Sequence, residues 1–445
     1  MTAEIAILNR GSVALAADSA VTCQRQGGEK IYNSVNKLFM LSKYHPVGIM
    51  VYGTADLMGV PWETVIKSYR KRLGCGSFST LREYVDDFLA HLHPDDGVLS
   101  KREVDRHFYE CLCSIFYGVR SGVIERVKQI IARGGGISEQ QVKKVFEDEV
   151  SLRMKACDRL EALECCRTLS VEALMAKYRS SLNAARKGVM QNLPISKATQ
   201  EMLDRLAISL LLKDILSDQK SGIIVAGFGE KDTFPSVVAV EVDGFVDGKL
   251  RMKVTKVRRV SEQMSAGILP FAQSEMVHTF MEGIDPFYQE VLYAGLKDLF
   301  ERLPAEIRAI GARTGKTLPN MDEELAAICF SMLDSVKHQA SEYRRKRYVD
   351  PVIEAVSFLP KDELAAMAES LVNLTSFKRR ISMDAETVGG PIDVAVISKG
   401  DGFIWIKRKH YFEPGLNPAF FANYYRDQNN RQQGEHSAES KEDKT

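Results

Sequence analysis

Strand-like segments in this chain come in blocks, and blocks of helix-like sequence separate them. The first block opens at once, because Thr2–Leu8 and Ser12–Ala17 both have strand character and Asn9-Arg10-Gly11 between them is a tight-turn signal. This pattern predicts a hairpin at the start of the chain. Strand blocks that alternate with helix blocks favour an α+β fold over a regular βαβ alternation.

Later segments repeat this alternation. Strands are predicted at Lys37–Leu41, Val47–Tyr52, Ser221–Phe228, Val237–Val242, Lys253–Val260, Ile392–Ser398 and Gly402–Lys407. Helices are predicted at Trp62–Leu73, at Leu81–Leu92 after the capping pair Thr80 and Glu83, from about 98 to 216 with further starts at Ser100 and Ser138, and across Ser274–Leu374. We expect the first and last strands to share one sheet system, with helical material inserted between them.

Composition excludes several functional classes. The formal net charge of +1 over 445 residues favours neither nucleic acid nor an acidic membrane as partner. No apolar stretch approaches the ~20 residues that span a bilayer, and the N-terminus lacks the pattern of a secretory signal. The eight cysteines form no CxxC pair, so we expect reduced thiols and no metal site. These observations predict a cytoplasmic protein.

Thr2 is the candidate nucleophile. A threonine hydroxyl reacts poorly unless a base takes its proton. If Met1 is removed, Thr2 carries its own base, because a free α-amino group has a pKa of ~7.7–8.0, close to the value that general-base catalysis needs. A Met-Thr start is a weak signal by itself, and only the residues after Thr2 give it weight.

The segment Thr2–Thr22, TAEIAILNRGSVALAADSAVT, resembles the opening of proteasome β subunits and their bacterial peptidase relatives, a family of N-terminal nucleophile (Ntn) hydrolases. In that family an aspartate lies sixteen residues after the nucleophilic threonine, as Asp18 does after Thr2. A family lysine precedes a short apolar strand, which points to Lys37 before Leu38-Phe39-Met40-Leu41. Lys30 is the rival candidate, with poorer flanking residues.

Two further segments carry the same resemblance. Gly48–Gly53, GIMVYG, resembles the strand whose last glycine lends its N–H to the oxyanion hole, which implies that role for Gly53. Gly389–Ile397, GGPIDVAVI, with the Asp401-Gly402 turn after it, resembles the family's penultimate strand. The resemblance covers roughly residues 2–92, 221–280 and 380–407.

The supporting residues of the implied site depart from the family pattern. The usual aspartate corresponds to Asp384, which lies one residue further out, and Val388 replaces the usual serine. Thr387 is then the candidate hydroxyl. A second family serine lies just before a helix, and Ser274 is its closest counterpart.

By resemblance the fold is a four-layer αββα Ntn-hydrolase sandwich with inserted helical regions. The implied organisation is an Ntn core in three parts, two helical regions and a tail. The core parts are 1–92, 220–280 and 380–426, the helical insertion is 93–219, the enlarged helical region is 281–379, and the tail at 427–445 is predicted to be disordered.

The function that the resemblance implies is a threonine peptidase or amidohydrolase acting on a peptide or amide without a cofactor. A non-catalytic proteasome-like scaffold and a small-molecule amidase are the alternatives. Homo-oligomeric rings and a separate ATP-dependent unfoldase are family partners whose transfer to this chain stays open, because the inserted helices could block ring assembly.

Overall fold

A computed structural model describes residues 2–25, 28–94, 97–134, 136–313, 322–382 and 388–422. The strands are β1 (Ala3–Asn9), β2 (Ser12–Ala17), β3 (Val21–Arg25), β4 (Gly28–Tyr32), β5 (Leu38–Met40), β6 (Val47–Gly53), β7 (Asp56–Leu57), β8 (Val60–Pro61), β9 (Ser221–Gly227), β10 (Ser236–Val246), β11 (Lys249–Arg259), β12 (Ala266–Ala272), β13 (Asp393–Ser398) and β14 (Gly402–Lys407). The helices are α1 (Trp62–Leu73), α2 (Leu81–His91), α3 (Lys101–Ala132), α4 (Glu139–Asp158), α5 (Val171–Lys177), α6 (Arg179–Met190), α7 (Lys197–Leu211), α8 (Glu275–Glu282), α9 (Pro286–Arg313), α10 (Asp322–Arg344), α11 (Asp350–Phe358) and α12 (Lys361–Ile381). The predicted disordered tail at 427–445 lies outside the described residues.

The first sheet joins the two ends of the chain. Its strand order is β12-β1-β2-β13-β14, and neighbouring strands are antiparallel. β1 pairs with β2 as the opening hairpin, and Asn9 closes the turn by accepting the backbone N–H groups of Gly11 and Ser12. Since β2 also pairs with β13, the prediction that first and last strands share a sheet is confirmed.

The second sheet has the antiparallel order β11-β10-β9-β6-β5. Apolar side chains of both sheets meet in one buried cluster that includes Leu15, Met50 and Ile224. Helices cover the opposite faces: α12 and α11 share a cluster with the first sheet, and α1 and α2 share one with the second. Both faces of the central strands are therefore buried, and the fold class is mixed α+β.

Helices α3 to α7 have a hydrophobic core of their own. Their buried residues pack mainly on one another, and Val246 at the end of β10 joins the same cluster. Capping boxes at Ser100 and Ser138 start α3 and α4, where the sequence predicted helix starts. The division of the chain into domains at these boundaries stays a prediction. None of the helices in the described ranges is long and apolar enough to cross a bilayer.

The strand pairings that were not predicted include the short β7–β8 pair and two larger ones. The polar hairpin β3–β4 comes directly after the opening hairpin, and β12 lies at the edge of the first sheet beside β1. Since β12 holds the start of β1 in place, it contributes directly to the position of Thr2.

Candidate active site

Thr2 lies at the start of β1, where backbone pairing fixes it from one side. Its carbonyl oxygen accepts a hydrogen bond of 3.0 Å from the N–H of Gln273, just beyond β12. The residue is only 3% exposed, and its hydroxyl oxygen has no hydrogen-bond partner within the described ranges. A buried hydroxyl without a partner costs free energy, so this position is not one that stability alone selects.

Asp18 lies just after the end of β2 and receives four donors. Its carboxylate accepts the backbone N–H groups of Ala3 and Ala20 at 3.2 Å each and of Gly389 at 3.0 Å. The fourth donor is the ammonium of Lys37, with Nζ 2.6 Å from Oδ1. This carboxylate therefore ties together the start of β1, the end of β2 and the segment before β13.

Lys37 precedes β5 in the second sheet and reaches across to Asp18 in the first. Its side chain is 4% exposed, so the ion pair is buried. Burial lowers the pKa of the Lys37 ammonium from its ordinary value, whereas the negative charge of Asp18, and less strongly that of Glu4, acts to raise it. A buried cation held by one short hydrogen bond places a fixed positive charge beside the start of β1.

Glu4 is a further ionisable group at this place, and the sequence reasoning missed it. Its side chain is fully buried. Burial raises the pKa of the Glu4 carboxyl to about 8, with Lys37 opposing this shift and Asp18 adding to it. Strand periodicity was the available signal, because residues two apart on a strand share a face and Glu4 is two residues from Thr2.

A cavity of about 250 Å³ brings the predicted residues together. Thr2, Lys37 and Gly53 all line it, with Tyr52 and Trp62 among the other lining residues. Gly53 ends β6 with a φ of 87°, and a side-chain carbon there would lie 2.4 Å from the carbonyl oxygen of Lys220. Glycine is therefore required at this position of the cavity wall.

The remaining predicted residues lie elsewhere or outside the described ranges. Ser274 precedes α8 and comes directly after Gln273, the residue that bonds to Thr2, but it does not line the cavity. Asp384 and Thr387 lie outside the described residues. The rival lysine, Lys30, is exposed on β4 with its ammonium 5.0 Å from the ring centre of Tyr32.

A second cavity of about 680 Å³ adjoins the first, and Asn36 and Glu63 line both. These two residues are joined by a hydrogen bond of 3.3 Å. The larger cavity is walled by aromatic rings and by more cationic than anionic side chains: Phe39, Tyr44, Trp405, Phe420 and Phe421, with Lys43, Lys67, Arg70, Lys71 and Arg408 against Glu63 and Asp393. Its volume falls within the range of about 300–1,000 Å³ that is usual for ligand sites.

The chemical content of the site is a hydroxyl, a buried ammonium–carboxylate pair, a second buried carboxyl and a glycine backbone around one cavity. In the part of the chain that the structure describes, no group of three or more His, Cys, Asp or Glu side chains is arranged to hold a metal ion. A hydroxyl beside fixed charges is a combination that acyl-transfer chemistry uses.

Comparison with known proteins adds little to this geometry. No protein-family model matches the sequence, and no curated protein matches it. Among solved structures, the chain is similar to the Anbu (Gly-1) mutant from Hyphomicrobium sp. strain MC1, with 8% identity over 96% of this chain and 97% of that one and a TM-score of 0.25. A TM-score this low does not establish a shared fold, so a functional assignment depends on the residues of this chain.

Proposed function

We propose that this protein is an N-terminal threonine hydrolase with the four-layer αββα architecture of the Ntn hydrolases, cutting amide bonds with Thr2 after removal of Met1. One observation carries the proposal: Lys37, buried and paired with Asp18, lines a cavity that Thr2 and Gly53 also line. The fold supports it, because two packed sheets with helices on their outer faces are what that architecture requires.

The reaction uses the groups present. The free α-amine of Thr2 takes the proton from its own hydroxyl, and Oγ1 attacks the substrate carbonyl carbon. The Lys37 ammonium disfavours a second positive charge nearby, which keeps the amine neutral and basic. Asp18 orients Lys37 through their hydrogen bond.

The tetrahedral intermediate breaks down with return of the proton that the amine took. The Gly53 N–H donates to the oxyanion while the α-ammonium returns the proton to the departing amine nitrogen, so the C–N bond breaks and an ester remains on Thr2. A water molecule, deprotonated by the same amine, then attacks the ester. The carboxylic acid leaves and the Thr2 hydroxyl is restored, with no cofactor consumed.

Two substrate classes compete, and a different observation favours each. The cavity at Thr2 is about 250 Å³, which suits a small amide. The adjoining cavity of about 680 Å³ offers room for further residues of a peptide, and its excess of cationic side chains favours acidic ones. We favour the peptide, because Asn36 and Glu63 line both cavities and so make them neighbours along one path.

The proposal is tested by the mass of the N-terminal peptide of protein purified from its native source. We expect a peptide that begins at Thr2 with a free α-amine. Retention of Met1, or an acetyl group on Thr2, would contradict the proposal because no free amine would remain as base.

A further inference from the structure

Glu4 carries a buried carboxyl group for which the described residues provide no hydrogen-bond partner. It lies opposite Ala17 of β2 and Phe271 of β12 in the first sheet. Ala6 and Leu8, which share its face of β1, pack in the cluster between the two sheets. The Glu4 side chain therefore projects between the sheets, on the same face as Thr2.

Neither carboxyl oxygen of Glu4 has a hydrogen-bond partner in the described part of the chain, although both are buried. An ionised carboxylate without hydrogen bonds is very costly in such a place, whereas the protonated form costs much less. The raised pKa of Glu4, about 8, has this cause. A stable core would hold an apolar residue here, as it does at Ala6 and Leu8, so the carboxyl calls for a functional explanation.

We propose that Glu4 is a positioning residue of the Thr2 centre: it holds a proton on its carboxyl at neutral pH, and loss of that proton switches the centre to a less active form. The inference rests on the proposed function of Thr2. With Glu4 neutral, the charges of Lys37 and Asp18 balance. With Glu4 ionised, the centre gains a net negative charge beside the position where the oxyanion forms.

The groups around Glu4 determine the direction of the effect. Lys37 and Asp18 act on it from the ion pair, and Tyr52 faces it from β6, with Glu241 of β10 hydrogen-bonded to Tyr52. Lys409 lies further out and acts on Lys37. An added negative charge among these groups opposes the oxyanion and raises the pKa of the Thr2 amine, so both effects slow acylation as Glu4 ionises.

The first measurement is the rate at which a peptidyl epoxyketone labels Thr2, followed from about pH 6 to about pH 9.5 in wild type and Glu4→Gln. The labelling rate of wild type should rise with pH as the Thr2 amine loses its proton and should then fall above about pH 8. Glu4→Gln is neutral at every pH, so its rate should stay on the plateau. An identical alkaline fall in both proteins would overturn the inference.

The second measurement needs no activity. The folded-state pKa of Glu4 lies above its unfolded value of 4.5, so the stability that its proton confers is present below about pH 4.5 and is lost as pH rises towards about 8. The melting temperature of Glu4→Gln relative to wild type should therefore increase between these values and level off above them. A difference that does not change with pH would show that Glu4 holds no such proton.

Glu149→Gln is the matched control for the stability measurement. Glu149 is also a buried carboxyl, but it bonds to Arg153 at 2.6 Å and to Arg126 at 3.0 Å. Its removal should lower the melting temperature at neutral pH, which is opposite in sign to the Glu4 effect. If the Glu4 titration appears but labelling does not depend on Thr2, the proposed function has failed. The role of Glu4 as a positioning residue of the Thr2 centre then fails with it, while the buried proton stands.

Discussion

The ammonium of Lys37 lies 2.6 Å from the carboxylate of Asp18, and this pair connects the two sheets in the interior of the molecule. Lys37 enters from the second sheet, whereas Asp18 belongs to the end of β2 in the first. Burying two charges is expensive and seldom contributes net stability. We therefore interpret the pair as a device that holds a positive charge beside Thr2.

Replacing Lys37 by methionine keeps most of the length of the side chain and removes the charge. Asp18 then remains buried without its cation, and we expect a loss of about 3 kcal/mol in the free energy of unfolding. Labelling of Thr2 by an epoxyketone should slow by about a hundredfold, since the α-amine loses the neighbour that keeps it neutral. Denaturant unfolding and labelling kinetics measure the two effects.

Arg251→Met provides the control for this variant. Arg251 and Asp243 form another buried ion pair, and neither of them lines the cavity at Thr2. The free energy of unfolding of Arg251→Met should fall by a similar amount, while the labelling rate of the folded variant stays near that of wild type. Equal slowing in both variants would mean that Lys37 acts only through stability.

Gly53→Ala tests whether the cavity wall at Thr2 requires a glycine at this position. The φ of 87° costs an alanine about 1–2 kcal/mol, and its Cβ would also lie 2.4 Å from the Lys220 carbonyl oxygen. We expect β6 to shift at its end, the oxyanion donor to move, and the labelling rate to fall by about a hundredfold.

The matched variant is Gly248→Ala, in the turn between β10 and β11. Its φ of 74° is similar, yet a Cβ there would meet no atom within 4 Å. Gly248→Ala should be destabilised by the conformational cost alone, and its Thr2 should be labelled at the wild-type rate. A Gly53→Ala protein that labels as fast as Gly248→Ala would remove Gly53 from the site.

Trp405→Ala tests whether the larger cavity receives substrate. Loss of the ring should weaken saturable binding of epoxyketones with long acidic peptides several-fold and leave the maximal labelling rate unchanged, because Trp405 lies in the cavity wall and not at Thr2. Ile406→Ala, one residue along on the exposed face of β14, should change neither quantity. Unchanged binding in Trp405→Ala would favour the small-amide alternative.

The sequence predicted the parts of the fold that have strong local signals. The β1–β2 hairpin has a turn between two apolar runs, and α3 and α4 have capping boxes. β12 escaped prediction because Ala266–Ala272 is apolar on both faces and contains Pro270, which argues against a central strand. As an edge strand β12 tolerates the proline.

The candidate site likewise contains residues that the sequence predicted and one that it did not. Thr2, Asp18 and Lys37 were identified through the resemblance of the segments around them to proteasome β subunits. Glu4 was not, because a glutamate on a hairpin strand is normally solvent-facing, and only the second sheet, formed largely by distant sequence, buries that face. Burial of both faces depends on long-range packing, which local patterns cannot indicate.

The central claim is that Thr2 supplies both the nucleophile and the base. An epoxyketone tests both at once, because stable adduct formation needs the hydroxyl and the adjacent free amine. The most direct measurement is the mass of the N-terminal peptide after treatment of wild type, Thr2→Ser and Thr2→Ala with peptidyl epoxyketones. We predict a full adduct on wild type, a slower one on Thr2→Ser and none on Thr2→Ala. An adduct on Thr2→Ala at the wild-type rate, or one located on another residue of wild type, would contradict the account.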